Sequence, residues 1–105
     1  MRMIQDVETP AVLVDLDILE GNIARMAEAA RRAGVRLRPH AKTHKVPEVG
    51  RMQIAAGAVG LTLAKPGEVE VFADAGFEDV FIAYPTVGTD KARRLLALSE
   101  RLRLR

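Results

Sequence analysis

Four short apolar runs begin near residues 11, 35, 59 and 79, and each is followed by a segment of helical period. The starts lie twenty to twenty-four residues apart, which is the rhythm of strands joined by helical crossovers and therefore of a parallel sheet. Residues 11–17 read as the first strand; behind them Leu19, Ile23, Met26 and Ala30 recur at spacings of four, three and four, a helix over 18–33 with Gly34 just past its end. Residues 35–41 alternate and break at Pro39, and Pro47 suits the first turn of a second helix closing at Gly57. The run 58–64 leads into a helix carrying Val69, Val71, Phe72 and Ala75, closed by Gly76. Residues 79–84 stop at Pro85, with Thr89 or Asp90 as N-cap for a helix carrying Leu95, Leu96 and Leu98. Arg101, Leu102, Arg103, Leu104 and Arg105 alternate like the opening of a further strand.

Two architectures use this pattern. A dinucleotide-binding sheet needs a glycine-rich turn after its first strand, and residues 15–20 here (Asp, Leu, Asp, Ile, Leu, Glu) contain no glycine. An eight-unit barrel of about 250 residues uses roughly 31 residues per unit. The expectation is therefore an α/β fold: the N-terminal portion, about four βα units, of a (β/α)8 TIM-type barrel, with residues 1–105 a partial domain.

Composition narrows the class. The chain has no cysteine, which excludes a disulfide scaffold and a thiol nucleophile. The N-terminus reaches Asp6 before any apolar stretch long enough for a signal peptide, and no run approaches a membrane span, so the expectation is a cytoplasmic protein with no membrane partner. The net charge of +2 hides an asymmetry, since the last fifteen residues hold six basic side chains against one acid. With 4% aromatic residues there is no stacking platform beside that tail, and arginines on the solvent face of a helix are preferred to a nucleic-acid surface.

Candidate chemistry gathers in Arg38-Pro39-His40-Ala41-Lys42-Thr43-His44-Lys45, which places five cationic or titratable side chains in eight residues at the carboxyl end of the second expected strand. Barrel enzymes place catalytic groups at that end. Alternation sets Arg38, His40 and Lys42 on one face, and crowding by like charge would lower the pKa of a lysine there, as Schiff-base chemistry requires. A surface lysine in a loop is the competing reading. His40 and His44 are four apart, but Pro39 argues against the helix that would make them joint metal ligands, and Lys45 reads as charge background. Lys65-Pro66-Gly67-Glu68 reads as an ordinary helix start rather than a phosphate cradle, and Met26 and Met52 as core.

The string from Pro39 to Lys45, preceded by Thr9-Pro10-Ala11 and followed by Gln53 to Gly57 and by Ile82-Ala83-Tyr84-Pro85, resembles the N-terminal part of the D-threonine aldolase and D-serine dehydratase family. These are pyridoxal-phosphate lyases of the alanine-racemase-like barrel type. The resemblance implies that Lys42 is the Schiff-base lysine, that His40 sits beside the cofactor ring, and that Tyr84 touches the cofactor, although a strand-end aromatic with a wet hydroxyl explains Tyr84 equally well. It implies a D-configured β-hydroxy amino acid as substrate, cleaved by retro-aldol reaction or β-elimination, and a homodimer as the full-length protein. The phosphate-binding loops, a divalent-metal site, the second half-barrel and a β domain would come from sequence beyond residue 105, so this piece alone is expected to be inactive and short of partners for its sheet. A racemase or a non-catalytic pyridoxal-phosphate carrier on the same barrel is the alternative.

Overall fold

The computed structural model describes residues 3–105; the part of the N-terminal reading that rests on Met1 and Arg2 lies outside them. After a 3₁₀ turn at Ile4–Asp6, helix α1 runs Leu16–Arg32. The Asp15 carboxylate opens it by accepting the Ile18 amide at 3.1 Å. It closes at Gly34 (φ +66°), where the Val35 amide donates to the Ala30 carbonyl at 3.0 Å. Helices α2 (Pro47–Ala55) and α3 (Pro66–Asp74) both begin on proline, whose missing N–H costs nothing in a first turn. Both end in the same six-residue closure, Ala58 to Gln53 and Phe77 to Phe72, each 3.1 Å. Helix α4 (Thr89–Ser99) has Gly88 as its N-cap, one residue before the expected Thr89 or Asp90, and the Asp90 carboxylate faces Arg93 at 3.2 Å instead.

Three strands form one parallel sheet in sequential order: β1 (Leu61–Leu63), β2 (Asp79–Ile82) and β3 (Arg103–Leu104). Leu61 pairs with Val80, Leu63 with Ile82, and Asp79 with Arg103. The parallel α/β architecture is the one the spacing predicts, including the strand opening at the C-terminal end.

Two expected strands differ. Residues 37–41 lie along β1 but pair with it only at His40 opposite Thr62. Three backbone bonds hold them: the Val59 amide to Leu37 (2.9 Å), the Thr62 amide to Pro39 (2.8 Å) and the Ala41 amide to Thr62 (2.8 Å). Pro39 brings no N–H to continue the ladder. Residues 11–14 are unpaired among the described residues, Val12 standing 94% exposed, and Leu16 and Asp17 belong to α1 because Asp15 caps it.

Leu61, Leu63 and Val80 are fully buried against Val69, Phe72, Phe77, Leu98 and Leu102 on the helix-covered face. The Phe72 and Phe77 rings meet edge to face, 5.1 Å between centroids. Arg94 grips Glu70 through two 2.7 Å bonds and Arg101 reaches Asp74 at 2.6 Å, so the arginines of the tail tie α4 and its exit to α3. Helix α1 buries no residue, and Met26, expected in the core, is exposed because nothing packs over that part of the helix. The radius of gyration, 15.8 Å, exceeds the roughly 13 Å of a compact chain this long.

Candidate functional site at the carboxyl ends of the strands

Ala41 is fully buried in the core, His40 before it is half-buried, and Lys42 after it is exposed. The strand then ends in a tight turn in which the Lys45 amide donates to the Ala41 carbonyl at 2.8 Å. His40 Nδ1 accepts the Lys42 amide at 3.3 Å, and the Thr43 hydroxyl donates to the His40 carbonyl at 3.4 Å. With Nδ1 accepting, the neutral imidazole of His40 carries its proton on Nε2. One local hydrogen bond thus joins the His40 ring to the Lys42 backbone.

The crowding expected around Lys42 is relieved by carboxylates. Arg38 Nη1 donates to Asp79 Oδ1 at 2.6 Å, and Lys45 Nζ lies 3.3 Å from Glu68 Oε1. Burial alone would raise the Glu68 carboxyl, but the Ala64 amide and the Lys45 ammonium hold it below the usual carboxylate range. Glu68 Oε2 also accepts the Ala64 and Lys65 amides at 2.8 and 3.2 Å, which makes residues 65–68 the ordinary helix start the sequence suggests. Lys42 is exposed and, among the described residues, enters no ion pair.

Pairing of β1 with β2 runs on past both strands, the Ala83 amide donating to the Leu63 carbonyl at 3.0 Å. Tyr84 stands two residues past β2, 69% exposed, two inter-strand spacings or about 10 Å across the sheet from the strand of Lys42. No recorded contact joins Tyr84 to His40 or Lys42.

His40 and His44 both line an apolar groove of about 990 Å³ between α1 and α2, and Gln53 lines it too. His44 Nδ1 accepts the Val46 amide at 3.0 Å, while Nε2 and Gln53 Oε1 are buried without a partner. Burial holds the His44 pKa below its ordinary value, against the opposing pull of Gln53 and Val46. Another cavity, about 820 Å³, lies at the amino ends of the strands, away from Lys42. Among the described residues no three His, Cys, Asp or Glu side chains converge as a metal site, and no helix is long and apolar enough to cross a membrane.

The D-threonine aldolase of Arthrobacter sp is 42% identical over 85 residues, covering 81% of this chain and 22% of the relative. The D-threo-3-hydroxyaspartate dehydratase of Delftia sp. (strain HT23) is 47% identical over 76 residues, 72% of this chain and 20% of the relative. The solved structure of D-threonine aldolase from Filomicrobium marinum superposes on 96% of this chain with a TM-score of 0.93 at 46% identity. The chain is homologous to the N-terminal part of the D-threonine aldolase and D-serine dehydratase family. No family model matches it. It spans about a fifth to a quarter of the length of the aldolases and dehydratases it matches.

Beside the residues of the family-like string, the structure adds three that the sequence reading missed: Glu68, which occupies Lys45; Asp79, which occupies Arg38; and Gly60, over which Arg38 passes. A lone glycine in an apolar strand was the available signal for the last. The other two partners lie 23 and 41 residues from their cations, and no local pattern links them.

Proposed function

We propose that this chain is the cofactor-anchoring part of a pyridoxal-phosphate-dependent lyase acting on D-configured β-hydroxy amino acids, with its parallel sheet continuing into a (β/α)8 barrel. The observation that carries the reading is the isolation of one amine. Of the three cations in the string from Arg38 to Lys45 other than its histidines, two are held by carboxylates, and Lys42 alone is exposed with no carboxylate partner among the described residues. Homology to aldolases and dehydratases supplies the reaction class.

The division of labour in this reading rests on the resemblance of the string. Lys42 is the covalent anchor and, once released, the base that moves a proton at the substrate α-carbon. His40, whose Nδ1 accepts the Lys42 amide, is the neighbour of the cofactor ring. Tyr84 borders the same ring from beyond β2. Pyridoxal phosphate, when bound, supplies an electron sink for the carbanion; its phosphate site and any divalent metal belong to sequence beyond these residues. A small-molecule substrate, a homodimeric full-length protein and a cytoplasmic location go with this reading.

Borohydride reduction of the full-length protein loaded with pyridoxal phosphate, followed by mapping of the peptides from this segment, tests it. Of the segment's four lysines, Lys42 should take most of the label; predominant label on Lys45, or equal label on all four, would overturn the assignment.

A further inference from the structure

The strand that carries His40 and Lys42 is weakly held. Pro39 breaks its ladder, and one bridge and three backbone bonds join residues 37–41 to β1. At an edge with so few bonds, register is poorly specified, and a slip of one residue would turn Ala41 out of the core and shift Lys42 with it.

A side chain makes up the deficit. The Arg38 guanidinium crosses β1 and donates to the Asp79 carboxylate on β2 at 2.6 Å, so one ion pair spans two strand boundaries. The crossing passes directly over Gly60: a Cβ built there would lie 2.3 Å from Arg38 Nη1 and 2.6 Å from the Asp79 carbonyl oxygen. Asp79 also faces Arg103 and Arg105, each at 3.5 Å, which ties the same carboxylate to β3 and its exit. Arg38 and Asp79 are about four-fifths buried, so water screens them poorly. From the far side, the Thr62 hydroxyl donates to the Arg38 carbonyl at 3.2 Å and fixes the backbone at the same residue.

We propose that the Arg38–Asp79 pair, crossing at Gly60, is a register lock that positions Lys42 at the strand ends. Arg38 is a positioning residue: it acts through the strand, four residues below the amine. The functional half of this inference rests on the reading of Lys42 given above; the lock itself does not.

Two readouts separate them. In Arg38→Met and, independently, Asp79→Asn, hydrogen exchange of the Ala41 and Thr62 amides should quicken about tenfold, as befits loss of a charge-assisted bond. The Ala83 amide, which bonds β2 to β1, should keep its protection. In the borohydride experiment the same variants should lose the preference of label for Lys42 over Lys45. Unchanged Ala41 exchange in both variants overturns the lock. Quickened exchange with an unchanged labelling ratio overturns its positioning role. A parent chain with no Lys42 preference overturns the cofactor reading while the exchange result still decides the lock. If Arg38→Met loses protection at Ala83 as well, Arg38→Gln, which keeps a polar side chain and removes the cation, is judged by the same criteria.

Discussion

Lys45 Nζ lies 3.3 Å from Glu68 Oε1, and the second oxygen of that carboxylate caps α3 by accepting the Ala64 and Lys65 amides. One side chain therefore closes the turn after Lys42, in which Lys45 holds φ +56°, and starts the next helix. Glu68→Ala should cost about 1–2 kcal/mol in urea unfolding, the loss of a cap and of a carboxylate's bonds to the Ala64 and Lys65 amides. It should also raise the share of borohydride label on Lys45. A variant as stable as the parent, with label unmoved, would show that the carboxylate does neither.

Stability should fall with acid in two stages. The His44 pKa lies below its ordinary 6.5 because burial disfavours the cation. As pH falls through 6.5 the unfolded chain takes up a proton before the folded chain does, so stability begins to drop there. The Asp79 carboxyl is lowered first by the Arg38 hydrogen bond, and Glu68 is lowered too. Their stabilisation is complete above the unfolded carboxylate values near 4 and is lost as pH falls through the folded ones. Urea midpoints from pH 7.5 to 3 should show both limbs, and His44→Gln should remove the upper one alone. An upper limb that survives the substitution would assign it elsewhere.

Phe72 is 1% exposed and meets Phe77 edge to face, whereas Leu96 on α4 is 69% exposed. Phe72→Ala should cost about 3–5 kcal/mol and Leu96→Ala no more than about 0.5 kcal/mol, both read from chemical unfolding. Similar costs would mean that the helix layer packs differently from the arrangement described.

Thr62 is a buried polar residue whose hydroxyl has one partner, the Arg38 carbonyl. Thr62→Val keeps the shape and removes that bond, for a loss of about 1 kcal/mol. The Ala41 amide, bonded to the Thr62 carbonyl, should exchange faster in step; Ala41 protection equal to the parent's would deny the hydroxyl a part in holding the strand.

The open face, the unpaired residues 11–14 and the wide radius of gyration leave apolar surface and strand edges without cover. The chain alone should self-associate in sedimentation equilibrium at tens of micromolar or unfold with low cooperativity. A monomer with a sharp transition would contradict this.

Most of the element order was legible because its signals are local. Prolines 47 and 66 mark helix starts, and Gly34, Gly57 and Gly76 follow helix ends. The run at 11–17 failed for an instructive reason: an apolar segment becomes a strand only when a neighbour accepts its hydrogen bonds, and none does among the described residues. Pro39 was read as a break in the second strand, and its effect on pairing was larger than that reading implied.

By itself, then, the sequence determined where helices start and stop, the parallel βα order, and the cationic string in which His40 and Lys42 stand two residues apart. Only the tertiary structure decided which cations are free. Arg38 finds Asp79 and Lys45 finds Glu68 because parallel pairing sets residues 41 and 23 positions apart side by side. Local propensity reaches one helical turn or one strand neighbour; charge compensation across strands depends on register, and register exists only once the sheet has formed.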